Sequence, residues 1–312
     1  MGSTLQIHRT DNLLMLIFYS VFLIILGCGQ HQNPGHVEEK STPFEHVLKR
    51  KSQQQRAVAA LDLNTEERKQ ILFGDLHVHS TFSPDAFATA SPIIGGDGLR
   101  PPTAACDFAR YCSALDFWSI NDHAEGLTPQ RWRETKQAVR ECNAVASDGD
   151  PDLVTFLGWE WSQVSHYDRK QHYGHKNVIF LDTEEDRVPT RPIAAPRDQL
   201  GKSPMSRIAP YILALRDFAN RGYYRSIQTF YDEMADIPPC QKDVHATALP
   251  DSCHETAMDP ATLFRKLREW GYEHMVIPHG NAWGLNTPPA TSLDKQLTRE
   301  QHSPDQHFLF EL

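Results

Sequence analysis

The sequence predicts an α/β fold with a mostly parallel sheet, open or closed into a barrel. Three observations carry this. From residue 71 onward, short apolar runs of strand length alternate with helical stretches. Several of those helical stretches are bounded by recognisable start and stop residues. The chain has 312 residues, 40 % hydrophobic and 23 % charged, enough for one large α/β domain of ordinary soluble composition.

Taken in order, the strands are expected at 71–79, 117–121, 153–159, 177–181, 274–278 and 308–312. Each is a brief apolar run ended by polar or turn-forming residues. Helices are expected at 103–115, 129–146, 206–219, 226–235 and 261–270. Thr128 caps the second of these, with Pro129 in the first position, where a missing N–H costs nothing. Asp259-Pro260 opens the last helix and Gly271 closes it. Residues 190–206, rich in Pro and Arg, read as a long loop.

Ahead of this domain, Leu13 to Gly27 is almost wholly apolar. It is short for a membrane span and has the length of a signal-peptide core. It ends Leu26-Gly27-Cys28, the pattern of a bacterial lipoprotein signal in which Cys28 becomes the lipidated first residue. Residues 1–28 are therefore expected as leader, 29–69 as a polar tether and 70–312 as the folded domain. That arrangement places the body in the cell envelope, anchored to the membrane by lipid and facing away from the cytoplasm.

The net charge is −9, and no cluster of Lys and Arg is interleaved with aromatics. That excludes a nucleic-acid backbone as the main partner. A small anionic substrate remains compatible, because bound cations reverse the local sign. Besides Cys28 there are five cysteines. Cys240 and Cys253 can close a loop, and one of Cys106 or Cys112 can pair with Cys142, which leaves one thiol over.

Candidate ligands cluster at strand ends. His77 and His79 stand at i and i+2 at the end of the first strand, so both imidazoles point to one face. Asp85 follows in the next loop. The second strand runs into Asp122-His123, the third into Glu160 and the last helix-flanked strand into His279. His175 is the exception, at the start of its strand. Trp159 and Trp161 flank Glu160, so a partly desolvated carboxylate is expected between two aromatics, with its charge stabilised by metal. Imidazoles and carboxylates without a thiolate suit Zn, Mn or Fe.

The pieces Asp-Leu-His-Val-His-Ser, Ser-Pro-Asp-Ala, Asn-Asp-His, Gly-Trp-Glu, Gly-His-Lys-Asn-Val and Ile-Pro-His-Gly, in this order, resemble the PHP (polymerase and histidinol phosphatase) superfamily. The resemblance spans about residues 70–312 and is closest to an envelope-bound branch of unknown function. It implies a distorted (β/α) barrel holding two or three divalent metal ions and, most often, hydrolysis of phosphate esters by water activated on those ions. By motif, His77 and His79 would bind the first metal and Glu160 would bridge first and second. His175 and His279 would complete the second, and Asp85 and His123 would hold a third. Asp122 is expected to orient a neighbouring imidazole, or else to cap a helix; with Glu160 it is the candidate for a catalytic carboxylate. Lys176 and Arg169 are candidates for meeting an anionic substrate, with a place at the surface as the default for both, and 187–225 is the candidate for carrying substrate specificity.

The resemblance also calls for a late Asp-x-His pair at a strand end. Asp305-Gln306-His307 has the spelling but lies between a polar stretch and the apolar run 308–312. The barrel is therefore expected to be incomplete at its C-terminus. No Gly-x-Ser-x-Gly elbow, Walker loop or HExxH motif competes with this reading.

Overall fold

The computed structural model describes residues 31–38, 44–60, 71–145, 151–165, 171–196, 204–282 and 287–311. The apolar leader, Cys28 and Arg169 lie outside them. The elements in chain order are α1 (Phe44–Ala59), β1 (Gly74–Val78), α2 (Pro84–Thr89), α3 (Pro102–Asp107), β2 (Phe117–Ile120), α4 (Pro129–Val145), β3 (Val154–Gln163), β4 (Gly174–Phe180), β5 (Ile193–Ala194), α5 (Pro204–Arg216), α6 (Arg221–Ala235), β6 (Glu255–Thr256), α7 (Pro260–Trp270), β7 (His274–His279) and α8 (Leu293–Gln296). α7 is bounded as the sequence predicts: Asp259 accepts from Thr262 N–H, and Gly271 closes the helix in the left-handed region. The predicted helix 103–115 is instead α3 followed by a π turn over Phe108–Cys112.

Five strands form one curled sheet, a half-barrel, in the order β1-β2-β3-β4-β7. β1, β2 and β3 are parallel, but β4 pairs antiparallel with both β3 and β7. This corrects the expectation of a mostly parallel sheet. β4 is the neighbour of β3 in the sheet and runs back along it, so the chain reverses beside itself instead of crossing over. The run 308–311 is not a strand. It lies extended beside β7, with Val276 N–H donating to Gln306 O and Glu311 N–H donating to Pro278 O.

The two faces of the sheet differ because side chains alternate along each strand. On β3, Leu157, Trp159 and Trp161 point into the helix-covered core with Trp118, Ile120, Val178 and Phe180. Phe156, Glu160 and Ser162 alternate with them and point to the concave face. Trp159 and Trp161 therefore do not desolvate Glu160, contrary to expectation. They anchor its strand: Trp159 stacks edge-on with Trp132, and the Trp161 indole N–H donates to Ala257 O. Gly158 sits below Glu160 where strands crowd. A Cβ there would come within 2.5 Å of Val178 O and 2.8 Å of Asn121 Nδ2, so only glycine fits.

Residues 31–38 and α1 do not behave as a free tether. His31 lies between Glu134 and Glu233, at 2.7 and 2.9 Å. Gln32 donates to Thr81 O, and Lys51 pairs with Asp116 at 3.2 Å. Burial disfavours a charged His31, yet the two carboxylate hydrogen bonds outweigh it and raise its pKa to about 9.

Two disulfides close, Cys106–Cys142 and Cys240–Cys253, and Cys112 is free and exposed. Cys106 and Cys142 are almost wholly buried within the core that backs the sheet. The bond spans 36 residues, a loop whose closure restrains the unfolded chain by about 4 kcal/mol in the chain-entropy account. Replacing both cysteines by serine is expected to lower unfolding free energy by about that amount. Denaturation with urea, comparing the double variant with the parent under non-reducing conditions, measures it; an unchanged midpoint contradicts it.

Candidate metal centre

The strand directions bring His77, His79, Asp85, His123, Glu160, His175 and His279 to one rim of the half-barrel. β1, β2, β3 and β7 end there. β4 begins there, because it runs the other way. This explains His175: a residue at the start of an antiparallel strand meets residues at the ends of its neighbours. His175 lies opposite Ser162 on β3 and His279 on β7.

Glu160 is the hub. It is 1 % exposed, and its two carboxylate oxygens face different histidines. Oε2 lies 2.9 Å from His79 Nε2 and 3.4 Å from His77 Nε2. Oε1 contacts His175 Nδ1 and lies 3.4 Å from His279 Nε2. Burial alone would push the Glu160 pKa up, but the surrounding imidazoles hold it well below the carboxylate range. His77 Nε2 and His79 Nε2 are 3.0 Å apart. Two nitrogens at that spacing, beside a carboxylate oxygen, match donors sharing one cation with bonds of about 2.0–2.2 Å.

A second carboxylate completes another corner. His123 Nε2 lies 3.2 Å from Asp85 Oδ2. Burial holds the Asp85 pKa up, yet the His123 partner outweighs it and draws it down to about 2. Burial likewise opposes charge on His123 and His77. Asp85 beside the first, and Glu160 with Glu311 beside the second, prevail and raise both pKa values to about 9. Among the described residues, four overlapping triads present donor atoms within 4.8 Å of one another: His77–His79–Glu160, His123–Glu160–His175, His79–Asp85–His123 and His77–His279–Glu311. Several His and carboxylate groups could thus hold a metal ion.

Asp122 does not reach the histidines and does not cap a helix. It is fully buried beneath them, accepting from Ser80 N–H at 2.6 Å, Ser80 Oγ–H at 2.7 Å and Ser83 Oγ–H at 3.1 Å. Ser83 Oγ lies 2.7 Å from His79 Nδ1 and accepts from His123 N–H. Asp122 therefore holds His79 through a serine and is a positioning residue. Lys176 also departs from expectation. It points to the packed face, where its ammonium donates to Gln296 Oε1 at 2.8 Å, and desolvation lowers its pKa to about 7.

Three residues at the rim had little or no sequence signal. Glu311 reaches His77 Nδ1 at 3.0 Å because 306–311 returns along β7. The Asp305-Gln306-His307 triplet, by contrast, stays away from the cluster. Asp305 accepts from Ser303, and His307 is buried against Phe264 and Phe310, with burial lowering its pKa to about 4. Glu125 is buried near His123 Nδ1, at 3.9 Å, and accepts from Ala195 N–H. Ser162 touches both His123 and Glu160. It could have been flagged, since it stands at i+2 from Glu160.

A cavity of about 800 Å³ opens at the other end of the concave face, lined by Leu76, Phe117, Phe156, Ile179, Met275 and Phe308 among others. It contains none of the clustered histidines. The Asn177 amide, bonded to Leu76 O at 3.5 Å, crosses the interior between the two ends. The clustered imidazoles and carboxylates lie at the polar rim, away from the apolar cavity.

Comparison of the chain with protein-family models, curated proteins and solved structures finds no match.

Proposed function

We propose that this chain is a metal-dependent hydrolase of PHP type whose substrates are small phosphate esters. The observation that carries the reading is Glu160, one carboxylate whose two oxygens face two separate histidine pairs. A carboxylate so placed suits a bridge between two cations, and two close cations are the recurring device for hydrolysis of phosphate esters. The donor set is nitrogen and oxygen only, which fits Zn, Mn or Fe. Asp85 and His123 add donors for a third ion.

When bound, such cations supply a nucleophilic water at neutral pH and neutralise charge on the phosphoryl oxygens. The chain's own residues do the rest. Glu160 and the imidazoles would hold the cations. Asp122 and Ser83 hold His79 in one orientation. The half-exposed Asp85 and Glu311 carboxylates stand at the open side of the rim, where an anionic ester enters only if its charge is met by cations.

The same reading places the protein in the cell envelope on a lipid at Cys28. Its support is the apolar run ending in Gly27-Cys28, together with two disulfides in the described domain, which suit an oxidising compartment.

A panel of aryl phosphates, phosphodiesters, sulfates and carboxylic esters, assayed with added Mn or Zn, tests the function. Phosphate-ester turnover that chelation abolishes and metal restores is the expected result. Turnover confined to sulfates or carboxylic esters, or indifferent to chelator, rejects it.

A further inference from the structure

We infer that Ser162 is a positioning residue that commits His123 to bind metal through Nε2, and so to the corner it shares with Asp85. The inference rests on the metal reading above. His123 stands in two of the four triads, and its ring can serve only one ion through each nitrogen. Its Nδ1 lies 3.6 Å from Glu160 Oε1, and its Nε2 lies 3.2 Å from Asp85 Oδ2.

The hydrogen bonds of Ser162 decide between them. Ser162 Oγ lies 2.7 Å from Glu160 Oε1 and 2.5 Å from His123 Nδ1. A hydroxyl has one proton to give and lone pairs to receive with. Glu160, as a cation ligand through both oxygens, holds no proton, so the proton between the two oxygens is the serine's. Oγ must therefore accept from His123, and Nδ1 carries a hydrogen. A nitrogen bearing a hydrogen cannot ligate. Nε2 is left as the metal-binding atom, and it faces Asp85 and not Glu160.

Ser83 makes the same arrangement at the neighbouring histidine, between His79 Nδ1 and Asp122. Two serines, each passing its proton to a buried carboxylate, thus turn two Nε2 atoms toward one another's side of the rim. The His79 and His123 rings are 4.9 Å apart, centroid to centroid.

The test uses full-length protein, stripped with chelator, then dialysed against buffered free zinc and read by metal mass spectrometry. Cobalt substitution, read by the visible spectrum, reports the ligand set. Ser162→Ala is expected to weaken one ion by about 10- to 100-fold, the usual cost of losing such a support, while the others stay bound. Ser162→Thr, which keeps the hydroxyl, is expected to restore it. Unfolding midpoints of the stripped forms show whether the alanine variant is folded; if it is not, Ser162→Cys with a weak donor takes its place in the same comparison. Parent and alanine variants with equal zinc content at every free-zinc level, and identical cobalt spectra, overturn the role of Ser162 alone. A parent chain that binds no zinc overturns the metal reading and this inference together.

Discussion

Replacing Glu160 with glutamine is expected to empty the centre of all but one metal ion and to lower phosphate-ester turnover on the order of 10³-fold, the scale of losing one well-placed electrostatic group. The reason is geometric. Four imidazoles, those of His77, His79, His175 and His279, converge on one carboxylate whose oxygens serve different pairs. An amide keeps the shape but halves the oxygen donors and removes the charge. The His79–Asp85–His123 corner does not use Glu160 and is the ion expected to survive. The metal-free protein suffers too. Near neutral pH, His77 and His123 carry charge in the metal-free centre, with pKa values of about 9. Removing a buried partner of such charges costs about 3–5 kcal/mol, and the cost shrinks above pH 9, where the rings are neutral. Metal content by mass spectrometry and denaturation curves at pH 7 and 9.5 measure both. Full metal occupancy in Glu160→Gln would remove the basis for the bridge.

Stability is expected to depend on pH with opposite sign in the metal-free and metal-loaded forms. His77 and His123 have folded-state pKa values raised from 6.5 to about 9. A raised pKa stabilises fully below the unfolded value and is lost as pH climbs through the folded one. Metal-free protein therefore loses stability between about pH 6.5 and 9, by up to about 3 kcal/mol for each of the two groups. Asp85 and Glu160, both lowered, act in the other direction and add a loss on acidification below about pH 4. Metal binding needs neutral imidazoles and expels these protons. The loaded form gains stabilisation relative to the metal-free form over the same window, 6.5 to 9. Thermal midpoints with and without chelator, taken every half unit from pH 6 to 9.5, give the two slopes. Parallel curves would show that neither imidazole exchanges its proton for metal.

Much of the rim was legible in the chain itself. The spacing of His77 and His79 places two imidazoles on one face of any strand, whatever the fold around it. His123 and His279 follow short apolar runs, and a run that ends in a ligand puts it at a strand end; Glu160 follows one too, but its strand continues to Gln163, so it sits within β3. Asp259 and Gly271 specify the bounds of α7 by local hydrogen bonding and left-handed backbone alone. These are properties of a residue and its near neighbours, so sequence carries them.

Other features depended on which segments lie side by side. His175, at the start of its strand, reaches the rim only because β4 runs antiparallel to β3 and β7. Trp159 and Trp161 flank Glu160 in order but point away from it, because alternation on a strand outweighs adjacency. Asp305 and His307 have the spelling of a ligand pair and fold elsewhere, while Glu311, which no motif marks, is carried to His77 by the return of the chain along β7. Cys142 chose Cys106 over Cys112 for the same reason. Local chemistry along the chain determined which side chains are able to hold a cation. Long-range pairing of strands decided which of them meet, because the distance between residues far apart in sequence is set by packing and register, and neither is written at any single position.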